Sequence, residues 1–203
     1  MHYHAEVWIP SEYFTEELVT RALAPYNENL EIEQVEEDGE TWWTNPDGFW
    51  DWWQIGGRWR GAHVPDYDAE KDESLYQTCE QCGGTGDRPE WVTYELDTNG
   101  ESVRRFTSAQ AEHCNGCNGC KGTGKEMKWP TQWPPHPKDV IPVSEIEDSL
   151  TCYALILPTE VLFVEEYENG EFVDKPLSKK TIRQALEEHD IHYGCLVTVD
   201  YHC

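Results

Sequence analysis

The segment that decides the fold is HYHAEVWI, His2–Ile9, near the start of the chain. Apolar and polar residues alternate along it, and the apolar face carries Tyr3, Ala5, Val7 and Ile9. A period of two residues is typical of a β-strand with one buried side. The segment CLVTVDYH, Cys195–His202, alternates in the same way. Both segments are therefore expected to be strands of a sheet that covers a core.

Further regular elements lie between these two strands. One helix is expected to begin after Ser11 and another after Ser178, since serine is a favoured N-cap. Strands are expected at Tyr153–Leu157 and Val161–Tyr167. The order strand, helix, two strands, helix, strand is that of a ferredoxin-like sandwich, βαββαβ, in the α+β class. The alternative is an irregular α+β fold in which a tryptophan-rich segment supplies further strands.

The middle of the chain differs in composition from both ends and is interpreted as inserted material. The predicted organisation is a ferredoxin-like core from residues 1–40 and 150–203, a Trp-rich insertion over 41–78, a zinc module over 79–129 and a Pro-rich linker over 130–149.

Two segments of this middle part repeat each other, namely CEQCGGTG, Cys79–Gly86, and CNGCKGTG, Cys117–Gly124. Both have the form C-x-x-C-x-G-x-G. Each C-x-x-C turn presents two thiolates to one metal, and the glycines allow backbone amides to fold back toward the sulfurs. Two such turns complete a closed tetrahedral shell, which is the structural type of zinc site. The predicted ligands of one structural Zn²⁺ are Cys79, Cys82, Cys117 and Cys120.

The residues between the two repeats predict a β-hairpin around the turn Thr98-Asn99-Gly100, clamped at its base by the zinc. Cys114 is an alternative ligand because it is evenly spaced with Cys117 and Cys120, and His113 lies beside it. The glycines that follow Cys120 favour the pair Cys117 and Cys120.

The two repeats resemble the cysteine-rich zinc finger of DnaJ-type chaperones, in which four such repeats bind two zinc ions. Two repeats imply one zinc here. The resemblance covers only Cys79–Gly124. The nearest match to the His-Pro-Asp of a J-domain, His136-Pro137-Lys138, lacks the acid. The resemblance therefore implies a zinc-stabilised surface for contact with another protein, and not a co-chaperone.

The phrase FWDWWQIGGRWRG, Phe49–Gly61, lies in the tryptophan-rich segment. It resembles a phrase in small uncharacterised proteins of actinobacteria and their phages, which share an ending similar to Val197–His202. A Gly-Gly turn can expose amides and nearby arginines can hold a phosphate or carboxylate, while a tryptophan stacks on a base or sugar. The alternative is that the aromatic residues form a core. The candidate ligand-binding residues are Trp53, Gly56, Gly57, Arg58, Trp59 and Arg60.

A second candidate site arises if the first and last strands are antiparallel neighbours. Imidazoles and carboxylates would then converge on the face opposite the apolar one, and Glu6 shares that face. Such a group can bind a catalytic metal or supply acid–base groups. The alternative is a polar sheet face with satisfied histidines, or one covered by the Trp-rich segment. The candidate ligands are His2, His4, Asp200 and His202.

The charge balance restricts the partners. The chain has 40 Asp and Glu against 15 Lys and Arg, a formal net charge of −25. A field of this sign repels phosphate backbones, so direct nucleic-acid binding is not expected. The chain has no apolar run of the roughly 18 residues that a membrane span needs, and no signal-peptide pattern near its start. A cytoplasmic protein is therefore expected.

These features predict a non-catalytic, zinc-stabilised acidic interaction protein, encoded by a phage, that binds or inhibits a host protein. No catalytic triad, P-loop or dinucleotide fingerprint is found in the sequence. The alternative is a small-ligand or nucleotide-binding protein, catalytic or not, that uses the Trp/Arg turn or the histidines near the chain ends.

Overall fold

The computed structural model describes residues 1–87, 91–107, 116–168 and 171–203. The fold is mixed α/β, with many strands and two short α-helices. The chain divides into two compact units, the first formed by Met1–Tyr67 and Pro130–Cys203, the second by Asp68–Trp129. Within the described residues, no helix combines the length and apolar character that a membrane span requires.

The elements are as follows. The strands are β1 His2–Ile9, β2 Glu33–Glu37, β3 Glu40–Thr44, β4 Trp52–Ile55, β5 Tyr76–Thr78, β6 Trp91–Leu96, β7 Ser102–Thr107, β8 Lys125–Met127, β9 Val140–Pro142, β10 Ala154–Ile156, β11 Val161–Phe163, β12 Glu165–Glu168, β13 Glu171–Asp174 and β14 Cys195–His202. The α-helices are α1 Glu16–Leu23 and α2 Ile182–Glu188. Short 3-10 helices include Ala24–Tyr26, Gly57–Trp59 and Pro176–Lys179.

The first unit is built on a mixed sheet with strand order β11-β10-β1-β14-β4, and β9 also pairs with β14. β1 and β14 are antiparallel over all eight residues of each strand, from His2 opposite His202 to Ile9 opposite Cys195. The predicted pairing of these two segments is confirmed. β4 and β9 share the outer edge of β14, one beside each half of that strand. Residues from the Trp-rich segment and from the Pro-rich segment thus both enter this sheet.

Both faces of the sheet are covered. Because side chains of a strand alternate between faces, Val7 and Ile9 lie on one side and Trp8 on the other. The first group packs against α1. Trp8 packs with Leu155 and Leu196 against α2. The two α-helices therefore lie on opposite faces of the sheet.

The ferredoxin-like sandwich is not confirmed. That fold is a split βαβ arrangement, in which another strand separates the two parallel strands. Here β1 and β10 are parallel and directly adjacent, with Ala5 opposite Ala154. The physical reason lies in the two central strands. Trp8 and Leu196 are apolar residues on the face that was expected to be polar, so that face also needs a helix to cover it.

Both α-helices begin later than predicted. α1 starts after Thr15, and Ser11 instead forms a local turn in which its Oγ accepts from the N–H of Tyr13. Ser178 lies inside the 3-10 helix that Pro176 begins, and its Oγ donates to the carbonyl of Lys175. The N-cap of α2 is Thr181, which forms a capping box with Gln184.

The second unit contains two small antiparallel sheets. β5 pairs with β8, and β6 pairs with β7 from Trp91 opposite Thr107 to Leu96 opposite Ser102. The predicted hairpin between the cysteine repeats is therefore present. At its tip, the carboxylate of Asp97 accepts the N–H groups of Asn99 and Glu101.

Candidate functional site

Four cysteines of the second unit form a compact cluster. One sulfur from each of Cys79, Cys82, Cys117 and Cys120 lies within 4.8 Å of the others. The Sγ atoms of Cys79 and Cys117 are 3.8 Å apart, and those of Cys82 and Cys120 are 3.7 Å apart. Metal–sulfur bonds of about 2.3 Å in a tetrahedron give sulfur–sulfur edges of roughly 3.8 Å. The cluster therefore has the dimensions of a structural four-thiolate metal centre.

The two repeats are related by a reciprocal hydrogen-bond pattern. The N–H of Cys79 donates to the carbonyl of Gly124 at 2.9 Å, and the N–H of Cys117 donates to the carbonyl of Gly86 at 2.7 Å. The first cysteine of each repeat is thus hydrogen-bonded to the last glycine of the other repeat. Cys114 and His113, the alternative ligand and its neighbour, lie outside the described residues.

Backbone amides also reach the sulfurs, as the glycine spacing predicts. Gly86 N–H donates to Cys82 Sγ at 3.3 Å, and Gly124 N–H donates to Cys120 Sγ at 3.2 Å. Burial is the largest single cause and acts to raise the pKa of Cys82, but the N–H groups of Gly86 and Gly84, together with hydrogen bonds to Cys120 and Cys79, outweigh it and bring the pKa to about 7. Hydrogen bonds of this kind stabilise the thiolate form that binds a metal.

The rings of His2 and His202 are neighbours, with centroids 5.1 Å apart, but the histidines of the two paired ends bond to different carboxylates. His2 Nδ1 lies 2.9 Å from Asp200 Oδ1, and His202 Nδ1 lies 2.9 Å from Asp51 Oδ1. His4 bonds to a different carboxylate. Within the described residues, the four cysteines are the group with metal-binding spacing. The second metal site stays a prediction.

His4 belongs instead to a buried polar cluster around Glu6, whose side chain is fully buried. Glu6 Oε1 lies 2.8 Å from His4 Nε2 and accepts the hydroxyl of Thr198 at 2.9 Å. His63 Nε2 lies 3.3 Å from Glu6 Oε2. Burial alone would raise the pKa of Glu6, but the hydrogen bonds and charges of His4 and His63 outweigh it and lower the pKa to about 2. Glu6 is therefore a buried, ionised carboxylate.

The ionised carboxylate of Glu6 determines which ring nitrogen of each neighbouring imidazole carries a hydrogen. Because a carboxylate can only accept, His4 and His63 must each donate through Nε2. Their Nδ1 atoms then carry a lone pair whenever the ring is neutral. Within the described part of the chain, neither Nδ1 has a hydrogen-bond partner. An imidazole held through one nitrogen by a buried carboxylate is an arrangement that can act as a general base.

Both imidazoles line a cavity of about 740 Å³ in the first unit. The ring of Trp59 stacks on His4 with centroids 5.7 Å apart and planes 19° apart. The rest of the lining is apolar, as at Val64, charged, as at Lys138, or polar and uncharged, as at Ser149. The cavity thus joins a residue of the Trp/Arg turn to a histidine of the chain ends, two sites that the sequence predicts separately.

Two amides that follow the Gly-Gly turn donate to carboxylates of the protein, while the N–H of Gly56 donates to the carbonyl of Thr198. The N–H of Arg58 donates to Asp200 Oδ2 at 3.1 Å, and the N–H of Gly61 donates to Asp139 Oδ1 at 2.6 Å. Both amides therefore have an acceptor within the protein, and ligand binding by this turn stays a prediction.

The six candidate ligand-binding residues have different environments. Trp59 lines the cavity, Trp53 packs on the core beside α1, and Arg58 is exposed. Gly56, Gly57 and Arg60 are buried. The guanidinium of Arg60 lies 5.8 Å from the centroid of the Tyr67 ring. Of these six residues, Trp59 is the one that lines the imidazole cavity, and ligand binding by the segment stays a prediction.

Sequence reasoning did not single out His63 or Asp139. His63 lies in an irregular segment where no period marks it. Asp139 is fully buried, and its carboxylate accepts N–H groups from Gly61 and His136, while its carbonyl accepts the N–H of Thr198. Burial is the main cause that raises the pKa of Asp139 above its usual value. The one available signal was the isolated acid in the Pro-rich segment.

Comparison with known proteins gives no family for this chain. No protein-family model, curated protein or solved structure matches it.

The first prediction concerns the close approach at Gly57. Its φ is +54°, and an added Cβ would lie 2.4 Å from Asp200 Oδ2. Gly39 has φ of +82° with nothing within 4 Å of an added Cβ, so it is the matched control. Gly39→Ala should lower the free energy of unfolding by roughly 1–2 kcal/mol, because of the left-handed backbone alone. Gly57→Ala should cost about 1–3 kcal/mol more, because of the overlap. Urea unfolding followed by tryptophan fluorescence measures both; equal losses would refute the close approach.

The second prediction concerns the pH dependence of stability. The folded pKa of Glu6, about 2, lies below its ordinary value of 4.5. Ionised Glu6 therefore stabilises the fold above pH 4.5, and this contribution decreases as the pH falls toward 2. The stability difference between the native protein and Glu6→Gln should narrow by about 2 kcal/mol between pH 7 and pH 3.

Denaturant unfolding at a series of pH values measures this difference. The matched control is Glu145→Gln, since half of the Glu145 side chain is exposed. Its stability difference from the native protein should change little with pH. A Glu6→Gln difference that stays constant or widens on acidification would contradict the assignment of Glu6 as an ionised group.

Proposed function

We propose that this chain is a small-ligand-binding protein and that the ligand occupies the cavity of His4, Trp59 and His63. The observation that supports this most is the fully buried carboxylate of Glu6, which holds two imidazoles at the wall of one cavity of about 740 Å³. A concave site with apolar walls and a few converging polar groups is typical of small-molecule sites.

The walls indicate the chemistry of the ligand. Apolar contacts come from residues such as Ile141 and Leu150, and Trp59 adds an aromatic surface. The Nδ1 atom of a neutral His4 or His63 ring can accept a hydrogen bond from a ligand. The net charge of −25 disfavours a polyanion. These features fit a neutral ring compound, such as a nucleoside, better than a phosphorylated one.

The third prediction tests this function by thermal stabilisation. A panel of neutral nucleosides and their monophosphates is added to the native protein, to His63→Gln and to the control His192→Gln. His192 is an exposed histidine paired with Asp190, away from the cavity lining. At least one nucleoside should raise the melting temperature of the native protein and of the control by a few degrees, but not that of His63→Gln.

A monophosphate should stabilise the native protein less than its nucleoside does. The proposal fails if no nucleoside shifts the melting temperature of the native protein, or if His63→Gln responds as the control does.

A second candidate function is the acidic interaction protein that the sequence predicts, encoded by a phage and directed at a host protein. The observation that favours it is the hairpin β2–β3, on which Trp42 and Trp43 are 42% and 52% exposed. Exposed tryptophans are enriched at protein interfaces. Acidic residues of the same hairpin would favour a basic partner. These residues are Glu33, Glu36, Glu37 and Glu40.

For the second unit we infer that the metal is zinc. A closed shell of four thiolates favours zinc or an iron–sulfur centre, and zinc is the usual metal of such structural sites. The likeness to the DnaJ-type zinc finger supports the same choice. Cysteines that stay reduced to bind a metal are also consistent with a cytoplasmic protein.

The fourth prediction tests the metal. Protein purified without added metal should contain one zinc per chain by elemental analysis. Cys117→Ser should lose most of it, because three thiolates and a hydroxyl bind zinc more weakly. Cys203→Ser, at an exposed cysteine outside the cluster, and Cys114→Ser should keep it. Iron in place of zinc, or an equal loss from Cys114→Ser, would overturn the assignment.

A further inference from the structure

A second cavity of the first unit, of about 770 Å³, differs in chemistry from the imidazole cavity. Its lining includes Tyr3 and Tyr201, which are paired neighbours on β1 and β14. Side chains alternate along β1, so Tyr3 and Glu6 lie on opposite faces of the sheet. Six aromatic side chains line this cavity, namely Tyr3, Tyr26, Phe49, Tyr153, Phe163 and Tyr201.

Five of these rings contact one another in a closed circuit. The centroid distances are 4.5 Å from Tyr3 to Tyr153, 6.2 Å from Tyr153 to Phe163, 5.3 Å from Phe163 to Phe49, 5.2 Å from Phe49 to Tyr201 and 5.5 Å from Tyr201 to Tyr3. The angles between successive planes range from 26° to 88°. The rings fix one another's orientation, so the wall of the cavity is organised without a ligand.

The charged residues of the lining all have the same sign. Four carboxylates take part, Glu28, Asp47, Glu160 and Glu165, and the described residues that line the cavity include no lysine, arginine or histidine. The negative charges of these carboxylates disfavour ionisation of the neighbouring phenols. Burial raises the pKa of Tyr26, and the charges of Asp47 and Glu160 raise it further. Burial also raises the pKa of Tyr3, with Cys203 and Glu165 contributing.

An aromatic wall with carboxylates around it selects a particular kind of ligand. Aromatic faces attract cations through their quadrupole, most strongly when the cation is poorly hydrated. A quaternary ammonium group distributes its positive charge over an apolar methyl surface. It is therefore weakly hydrated and loses little hydration on contact with such a wall. A primary ammonium ion is strongly hydrated and loses more.

We propose that this aromatic cavity is a binding site for a fully methylated ammonium group. The site does not depend on the imidazole cavity or on its proposed ligand. The same chemical group occurs on a free small molecule, such as choline, and on a trimethylated lysine side chain of a peptide, and the probes below distinguish these sources.

The fifth prediction tests charge selectivity on the native protein. Tetramethylammonium and choline are titrated by NMR, together with 3,3-dimethylbutan-1-ol, the uncharged isostere of choline. Both cations should bind, and choline should bind at least ten-fold more tightly than the isostere. A peptide with one trimethyllysine binding more tightly than choline would identify a protein side chain as the source. Absence of binding by all three cationic probes, or equal binding of the isostere, would overturn the proposal.

Variants at Tyr26 give the matched control. Tyr26 ends a 3-10 helix outside the main sheet, and its ring centroid lies 5.4 Å from that of Phe49, so its replacement changes no residue of a sheet strand. Tyr26→Leu should weaken choline binding at least five-fold, while Tyr26→Phe should keep it. Asp47→Asn should weaken choline binding but not binding of the isostere. His63→Gln should bind choline as the native protein does, so this result is independent of the nucleoside test. If Tyr26→Leu and Tyr26→Phe bind choline equally, the aromatic wall is not the site.

Discussion

The antiparallel pairing of β1 with β14 is the constraint on which the first unit depends. It joins residues at opposite ends of the sequence, from His2 with His202 to Ile9 with Cys195. Because side chains alternate along both strands, this register assigns each residue to one of two faces. One face carries Glu6 and the imidazole cavity, while the other carries the aromatic cavity. A shift of one residue in this register would exchange the two sets of side chains.

Several features could be predicted from the sequence because they depend on local patterns. The period of two residues marks β1 and β14, and the turn at Asn99-Gly100 marks the hairpin of β6 and β7. The spacing of the cysteine repeats selects the four thiols that cluster. In each case the residues that carry the sequence pattern are the residues that form the predicted feature.

The remaining features depend on packing between distant segments. The strand order follows from the need to cover Trp8 and Leu196 as well as the opposite face, which no local pattern shows. The turn at Gly56 and Gly57 predicts an anion site. The carboxylate of Asp139, 82 positions after Gly57, instead accepts the N–H of Gly61 beside this turn. His63 likewise reaches Glu6 only through the tertiary fold. Sequence reasoning therefore singled out Trp59 and His4 as candidates, but not His63 or the hydrogen bond between His4 and Glu6.

The pairing of β1 with β14 also bears on how the molecule forms during translation. The ribosome makes chains from the amino end, so β1 is synthesised long before its eight-residue partner. Until residue 202 has left the exit tunnel, the central strand of the sheet has one long edge uncovered. The cysteine-bearing unit ends at Trp129, and its strand pairings lie within Asp68–Trp129. It can therefore fold before β14 completes the sheet, although its first residue follows β1 in the sequence.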